Sequence, residues 1–349
     1  MSQIVLNRLP AKTWYRLKVN DSSVELPESL SQPELSVEAP DGITVSRQGE
    51  EFSVRSAMGE EYGSYLSNVP ALWIGAEHPE EKPAVIRLTL REGQDTGLRL
   101  FLDAKDNAVL RVILVLDSES RKAGGHCALR TSVRAGASAG VALFIVNLLG
   151  DQAVLTDDVS ASEGENAVFS LRRLDLGGYN VHTAACTELA GRRSRFESGI
   201  VYQVPKDGLL DMNWLARHTG KKTISHIHVN GVLQDSAKKC FRGTIDFVRG
   251  CAGAKGAETE SVLLMGQNQI NQTVPLILCE EEDVDGSHGA SIGRLDEKML
   301  FYLASRGISE EKASRLIARS RVDLMRSLIP DEKVRAEIDA FMAEEEEAQ

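Results

Sequence analysis

Aromatic residues are scarce in this chain: Phe, Trp and Tyr together make up 5% of 349 residues. A core built from it must rest on Val, Leu, Ile and Ala. The five cysteines, Cys127, Cys186, Cys240, Cys251 and Cys279, are odd in number and widely spaced, and no Cys-x-x-Cys occurs. That pattern excludes a zinc ribbon and a local ferredoxin-type cluster motif, and it favours reduced, buried thiols. No apolar run approaches the roughly 18 residues of a membrane span; the longest apolar-rich stretch, Val141 to Leu149, carries Asn147. The beginning, Met1 to Arg8, has no basic segment followed by an apolar one, so a cytoplasmic location is expected. There is no Gly-x-x-x-x-Gly-Lys-Ser/Thr loop, no Gly-x-Gly-x-x-Gly after a strand, no Gly-x-Ser-x-Gly and no His-Glu-x-x-His. Positive charge is also in short supply. Forty Lys and Arg face 51 Asp and Glu, a formal net charge of −11. This argues against a nucleic-acid or anionic-membrane partner.

What is present changes in texture along the chain. Residues 1–83 read as a mixed, irregular region: Pro27, Pro33, Pro40, Pro70, Pro79 and Pro83 punctuate short apolar pieces. Trp14 to Val19, Ile43 to Val45 and Phe52 to Val54 are strand candidates. From 84 to 291 short β-branched runs follow one another, with Gly, Asp or Asn between them. Twelve are predicted as strands: Ala84–Leu90, Leu98–Leu102, Val109–Leu116, Cys127–Val133, Val141–Asn147, Ala153–Val159, Ala167–Leu174, Asn180–Leu189, Arg195–Val204, Thr223–Val229, Cys240–Val248 and Ser261–Met265. A sandwich, barrel, propeller and β-helix all fit this count. Asn230-Gly231 fits a hairpin turn. The small-residue clusters Arg134 to Gly140 and Ser162 to Glu165 suit the corners of stacked coils, although no fixed repeat is visible.

Residues 292–349 predict a helical domain. Asp296 and Ser309 suit N-caps, and Gly307 suits a left-handed terminator between them. Met299, Leu300 and Leu303 mark one apolar stripe. Leu316, Ile317, Leu324, Leu328 and Ile329 mark a second, with Glu310 and Glu311 at its positive end. Val334, Ile338 and Phe341 mark a third. The acidic run Glu344 to Glu347 reads as a solvating end.

Few residues carry obvious chemistry. His226 and His228 alternate, so a strand would place both on one side about 6–7 Å apart, a spacing that suits a shared metal. No carboxylate or thiol nearby in sequence completes such a site, and an ordinary polar strand face is the competing reading. Stacking of coils can gather Cys240, Cys251 and Cys279, whose thiolates suit iron or zinc; small buried hydrophobes are the alternative. His126 beside Cys127 is weighed the same way. His288, in Ser287-His288-Gly289-Ala290, reads either as an accessible imidazole or as a hydrogen-bonded turn histidine at a domain junction.

The stretch Ser287 to Glu297 with Phe301 to Ser309, together with Phe241-Arg242-Gly243-Thr244-Ile245, Leu263-Leu264-Met265-Gly266 and Pro275, resembles the SufB/SufD family of iron–sulfur cluster assembly proteins. The likeness runs over roughly 190–320. It implies a right-handed parallel β-helix core with a C-terminal helical domain. It also implies a non-enzymatic scaffold that pairs through its β-helix with a SufB-like subunit and binds the SufC ATPase. An iron–sulfur cluster would pass through the subunit interface, with none tightly held. The departures point to the SufD branch. His288-Gly289-Ala290 replaces the His-Glu-Ala usual in SufB, and Gln267 to Asn271 holds no cysteine where SufB carries its essential thiol. Gly286 stands where SufD relatives often have cysteine, so ligation would rest on His288, with Cys279 as a second candidate and Cys240 and Cys251 as weaker metal ligands. The ATPase-facing positions implied are Leu300, Tyr302, Leu303, Arg306, Leu316 and Ile317. A stand-alone homodimer is the alternative within the family, and a β-helical carbohydrate-active enzyme the alternative outside it.

Overall fold

The computed structural model describes residues 2–13 and 15–348, and within these the side chains of Ser2, Glu297, Met299, Glu311 and 345–348 are not described. Trp14 and the side chains of Met299 and Glu311 thus lie outside the described residues, as do those of Glu345 to Glu347 in the acidic run. A ribbon of β1 (Ser2–Leu6) and β2 (Ser22–Leu26) comes first, then β3 (Glu34–Glu38), β4 (Ile43–Ser46), helix α1 (Glu60–Tyr65) and β5 (Ala71–Ala76). Next come β6 (Ala84–Leu90), β7 (Gln94–Ala104), β8 (Val109–Ser118), β9 (Gly124–Ala135), β10 (Gly140–Leu148), β11 (Gln152–Glu163), β12 (Val168–Asp175) and β13 (Asn180–Leu189). They continue with β14 (Arg195–Val204), β15 (Leu209–His218), β16 (Ile224–Gln234), β17 (Lys238–Phe247), β18 (Ala254–Met265), β19 (Ile270–Cys279) and β20 (Val284–Gly293). Helices α2 (Glu297–Ala304), α3 (Glu310–Ser327) and α4 (Glu332–Ala348) close the chain.

Even-numbered strands from β6 to β20 form one nine-stranded sheet with β3 at its edge. Odd-numbered strands from β5 to β19 form the other, with β4 at its edge. From β5 onward every neighbouring pair is parallel. The chain is therefore a β-solenoid of about eight turns, with 53% of residues in strands. Of the four architectures that fit the strand count, the β-helix is the one observed.

Alternating side chains fill the lumen with Leu, Ile, Val and Ala, among them Ile86, Leu88 and Leu114, then Leu143, Leu171 and Val229. One corner recurs at a left-handed backbone, at Asn107, Ser138, Asn166, Arg193, Lys222 and Gly253. Each of these N–H groups donates to a carbonyl of the next turn, as Asn107 does to Ala137 and Gly253 to Asp283. The corner thus extends the ladder between coils and keeps backbone groups satisfied. Asn230-Gly231 is not a hairpin turn: both lie inside β16. A methyl on Gly231 would fall 1.8 Å from the Tyr202 ring, so glycine there makes room for an aromatic in the lumen.

Two layers cover the outer faces. On the odd sheet, Leu6, Val24, Leu26, Met58, Tyr62 and Leu66 pack on Ala128, Ala184, Cys186 and Leu215. Polar ties reinforce this layer: Tyr62 donates to the Thr156 carbonyl at 2.8 Å, Asn7 to Asp211 at 2.6 Å and Arg242 to the Val19 carbonyl at 2.6 Å. Tyr15–Leu17 form a 3-10 turn rather than the expected strand, and Phe52 to Val54 form none. On the even sheet, Val322, Met325, Ile329, Val334, Ile338 and Phe341 pack on Ile113, Val115, Val146, Leu174 and Val201. The side chains of Asp296 and Ser309 cap α2 and α3 as their positions predict.

Candidate functional site: the uncapped end of the solenoid

The two ends of the solenoid are finished differently. At the first turn the chain caps each sheet with a short antiparallel strand, five-residue β3 on β6 and four-residue β4 on β5. At the last turn the full-length parallel strands β19 and β20, ten residues each, end the sheets with no such cap. Every residue of β20 after Val284 is exposed. A free edge of this length presents a row of unpaired N–H and C=O groups, a template for another strand.

His288 lies in the middle of β20, not in a turn, and is exposed. Its register partner is Glu258 on β18. Glu258, Glu260 and Val262 are buried on the lumen side, and parallel register partners face the same way. His288 therefore occupies a lumen-side position on the terminal turn. The lumen behind it is polar. Lys239 donates to Glu260 and, at 3.0 Å, to Thr273, which in turn donates to Glu260 at 2.7 Å. A methyl on Gly243 would collide with the Glu258 carboxyl at 1.8 Å, so glycine there admits a carboxyl into the lumen. Burial first, then repulsion from Glu260, raise Glu258 to about 7, with Lys239 opposing.

The cysteines do not converge with His288. Cys279 is exposed at the end of β19, where its thiol donates to the Glu281 carbonyl at 3.0 Å. A methyl on Gly286 would lie 3.3 Å from Ile277, so these two positions face each other across the terminal turn. His288 is then level with Pro275, four positions from Cys279, or about 13 Å along the strand. Cys251 is buried at the β17–β18 corner among Ile245, Phe247 and Ala254, and burial pushes its thiol up to about 11. Cys240 is buried on the opposite, outer side of the odd sheet. It stands in a register row with Asp211 and His182, and burial pushes it up to about 11 as well. His126 is buried against Thr156 at 2.9 Å, apart from the lumen position of Cys127. Among the described residues no three of His, Cys, Asp and Glu are placed to hold a metal ion. An exposed imidazole such as that of His288 has the chemistry of a single metal ligand.

The helical layer presents a second surface. Phe301, Tyr302, Leu316, Leu324 and Leu328 are exposed on or just beyond α2 and α3, and Arg306 stacks on the Tyr302 ring at 4.7 Å. Leu300 and Leu303 are half-buried, and Ile317 packs toward Val232 and Leu263. Tyr302 and Leu316 thus face solvent, whereas Ile317 faces the solenoid. Leu324 and Leu328 read from sequence as an apolar stripe; the docking stripe is instead Ala318, Val322, Met325 and Ile329. Phe301 opens the Phe301 to Ser309 segment of the resemblance but was not among the ATPase-facing positions it implied.

Residues 89–321 match the family described as SUF system FeS cluster assembly, SufBD core domain. The chain belongs to the SufB/SufD family. Within the family it is SufD-like. The iron–sulfur cluster assembly protein SufD of Bacillus subtilis (strain 168) is 37% identical over 100 residues, covering 29% of this chain and 23% of that protein. SufD of Escherichia coli (strain K12) is 27% identical over 164 residues, 47% of this chain and 38% of that protein. A SufBD family protein of Pyrococcus horikoshii is 30% identical over 174 residues, 50% and 39% respectively. The aligned segments cover less than half of each of these relatives. No helix among the described residues is long and apolar enough to cross a membrane.

Proposed function

We propose that this chain is a SufD-like scaffold subunit of iron–sulfur cluster assembly, itself without catalytic activity. It pairs through the β19 and β20 edges with a SufB-like chain and offers its α2–α3 surface to a SufC-type ATPase. The observation that carries the reading is the contrast between a capped first turn and a free last turn with His288 on it. Strand addition would satisfy the free edge groups and set the partner's terminal turn against His288. The cluster is cargo in this scheme. One imidazole fills one coordination position, and mixed Cys/His ligation of iron–sulfur clusters is known chemistry. The remaining ligands would come from the partner. ATP-driven movement of the ATPase would reach the interface through α3, which Arg321 fixes to β18 by donating to the Ser261 carbonyl at 3.0 Å.

The test is co-expression with a SufB-like chain and a SufC-type ATPase, followed by affinity capture. Capture of both by the native chain is expected. The triple variant Phe301→Asp, Leu316→Asp, Leu324→Asp should lose the ATPase and keep the SufB-like chain. Capture of neither by the native chain would overturn the proposal. A homodimer is the second reading, favoured by the free edges themselves, since a two-fold axis can pair an edge strand with its own copy. Sedimentation of the chain alone separates the two.

A further inference from the structure

One motif plays no part in the scaffold reading: the alternating pair His226 and His228 on β16. Both are exposed on the outer face of the even sheet, with ring centroids 6.1 Å apart and planes inclined by 47°. The sequence shows no carboxylate near them, but the solenoid supplies one. Glu197 on β14 is the register partner of His226, one turn earlier in the chain and on the same face. The register partner of His228 is Gly199, and the Arg172 side chain of β12 lies over that glycine, 3.1 Å from where a side chain would begin. On the other flank, Thr259 of β18 lies 2.7 Å from His228 Nδ1. That contact engages Nδ1 and leaves Nε2 for a ligand, as the second hydrogen bond of a metal-ligating histidine does.

We propose that His226, His228 and Glu197 form a binding site for a borderline divalent transition-metal ion, ferrous iron or zinc, on the outer face of the even sheet beside α3. Two imidazoles and one carboxylate with open positions are a donor set these ions favour. The three donors do not yet converge, because Glu197 is turned toward Arg172 at 3.3 Å. That ion pair joins two partly exposed side chains, so it holds the carboxylate weakly. Met325 of α3 reaches within 3.5 Å of where a Gly199 side chain would begin, so an ion at this site would sit at the foot of the helical layer.

The site is independent of His288, and the experiment keeps the two apart. Full-length chain carrying His288→Ala is titrated anaerobically with Fe(II) and, separately, with Zn(II), and bound metal is measured by equilibrium dialysis. One ion per chain is expected for at least one of the two metals. His226→Ala and His228→Ala should each weaken uptake about tenfold or more, and Glu197→Gln by less. Arg172→Gln, which frees Glu197, should tighten uptake. All four positions lie at the surface, and circular dichroism checks that each variant is folded. Uptake unchanged in the His226→Ala/His228→Ala double variant, or no uptake by the Arg172→Gln chain, would overturn the site while leaving the scaffold reading untouched.

Discussion

The first and last turns of the solenoid obey the same ladder geometry and differ in almost everything else. The first is sealed by antiparallel β3 and β4 over a lumen of Ile74, Ile86, Leu88 and Leu100. The last is unsealed, and the lumen leading to it holds Lys239, Glu258, Glu260 and Thr273. A stacked coil cannot satisfy its own final strand. Either another segment of the chain covers it, as at the beginning, or a partner does. One polar stretch of the lumen borders His288 at the free end, and a second, Arg173 with Asp157 and Asp175, is buried in mid-solenoid.

This contrast predicts where the molecule is fragile. The largest effect is expected in the sealed half. Leu114 is fully buried in the aliphatic lumen, so Leu114→Ala should cost about 2–5 kcal/mol by chemical denaturation. Ile277 on β19 is 37% exposed, and Ile277→Ala should cost less than about 1 kcal/mol. Equal costs would mean that the free end is packed as tightly as the sealed one.

The next effect comes from the polar lumen. Glu258, raised to about 7, holds its proton in the folded chain where the unfolded chain, at the ordinary 4.5, has lost it. The folded state therefore binds more protons between these values, and stability falls as pH rises from about 4.5 to about 7. The loss is about 3 kcal/mol at most. Glu258→Gln should flatten this part of the curve when melting is followed against pH. A slope unchanged by the substitution would show that Glu258 is ionised in the folded chain.

A smaller effect on the chain is expected at the free edge. The Ile270 N–H donates back to the Ala237 carbonyl, so alternate residues of β19 point their N–H groups at solvent. Pro275 is one of these, which is where a strand tolerates proline. By the register of the same ladder, the Ala290 N–H of β20 also faces the free side. Ala290→Pro should change chain stability by about 1 kcal/mol or less and weaken association with the partner about tenfold or more. Full association in size-exclusion chromatography would show that the β20 edge is not where partners add.

Much of this was legible in the sequence, and the failures have physical causes. The twelve predicted runs all fall within or largely over observed strands, because each carries apolar residues toward the lumen. Before residue 84 only β4 was read as a strand, and β1, β2, β3 and β5 were not; after it three strands were missed. In β15, Asp211 and Asn213 interrupt the apolar run because they bond the N-terminal layer, Asp211 accepting from Asn7 and Asn213 donating to the Ala57 carbonyl at 2.8 Å. In β19, Asn271, Gln272 and Pro275 read as a loop, since one side of an edge strand needs neither a donor nor a buried face. In β20 glycine, serine and alanine predominate, and its strand form comes from pairing with β18 rather than from its own propensity. The repeat was hidden because register partners lie from 26 positions apart, as Val154 and Asn180 do, to 32, as Lys238 and Ile270 do. Only Asn107, Asn166 and Gly253 among the left-handed corners carry residues that announce such a backbone.

His288 is where the structure sharpened the sequence most. As a turn histidine it would hold the domain junction together through hydrogen bonds, and removing it would destabilise the chain. As an exposed strand residue with no hydrogen bond among the described residues, it does no such work. His288→Ala should therefore change the stability of the isolated chain by less than about 0.5 kcal/mol, the smallest effect of the series, while cluster assembly by the complete complex falls. The two readouts must be taken on one preparation. A large drop in melting temperature would return His288 to a structural role. Unchanged stability with unchanged assembly would move the cluster away from this edge altogether, and unchanged stability with lost assembly is the result that the free end of the solenoid predicts.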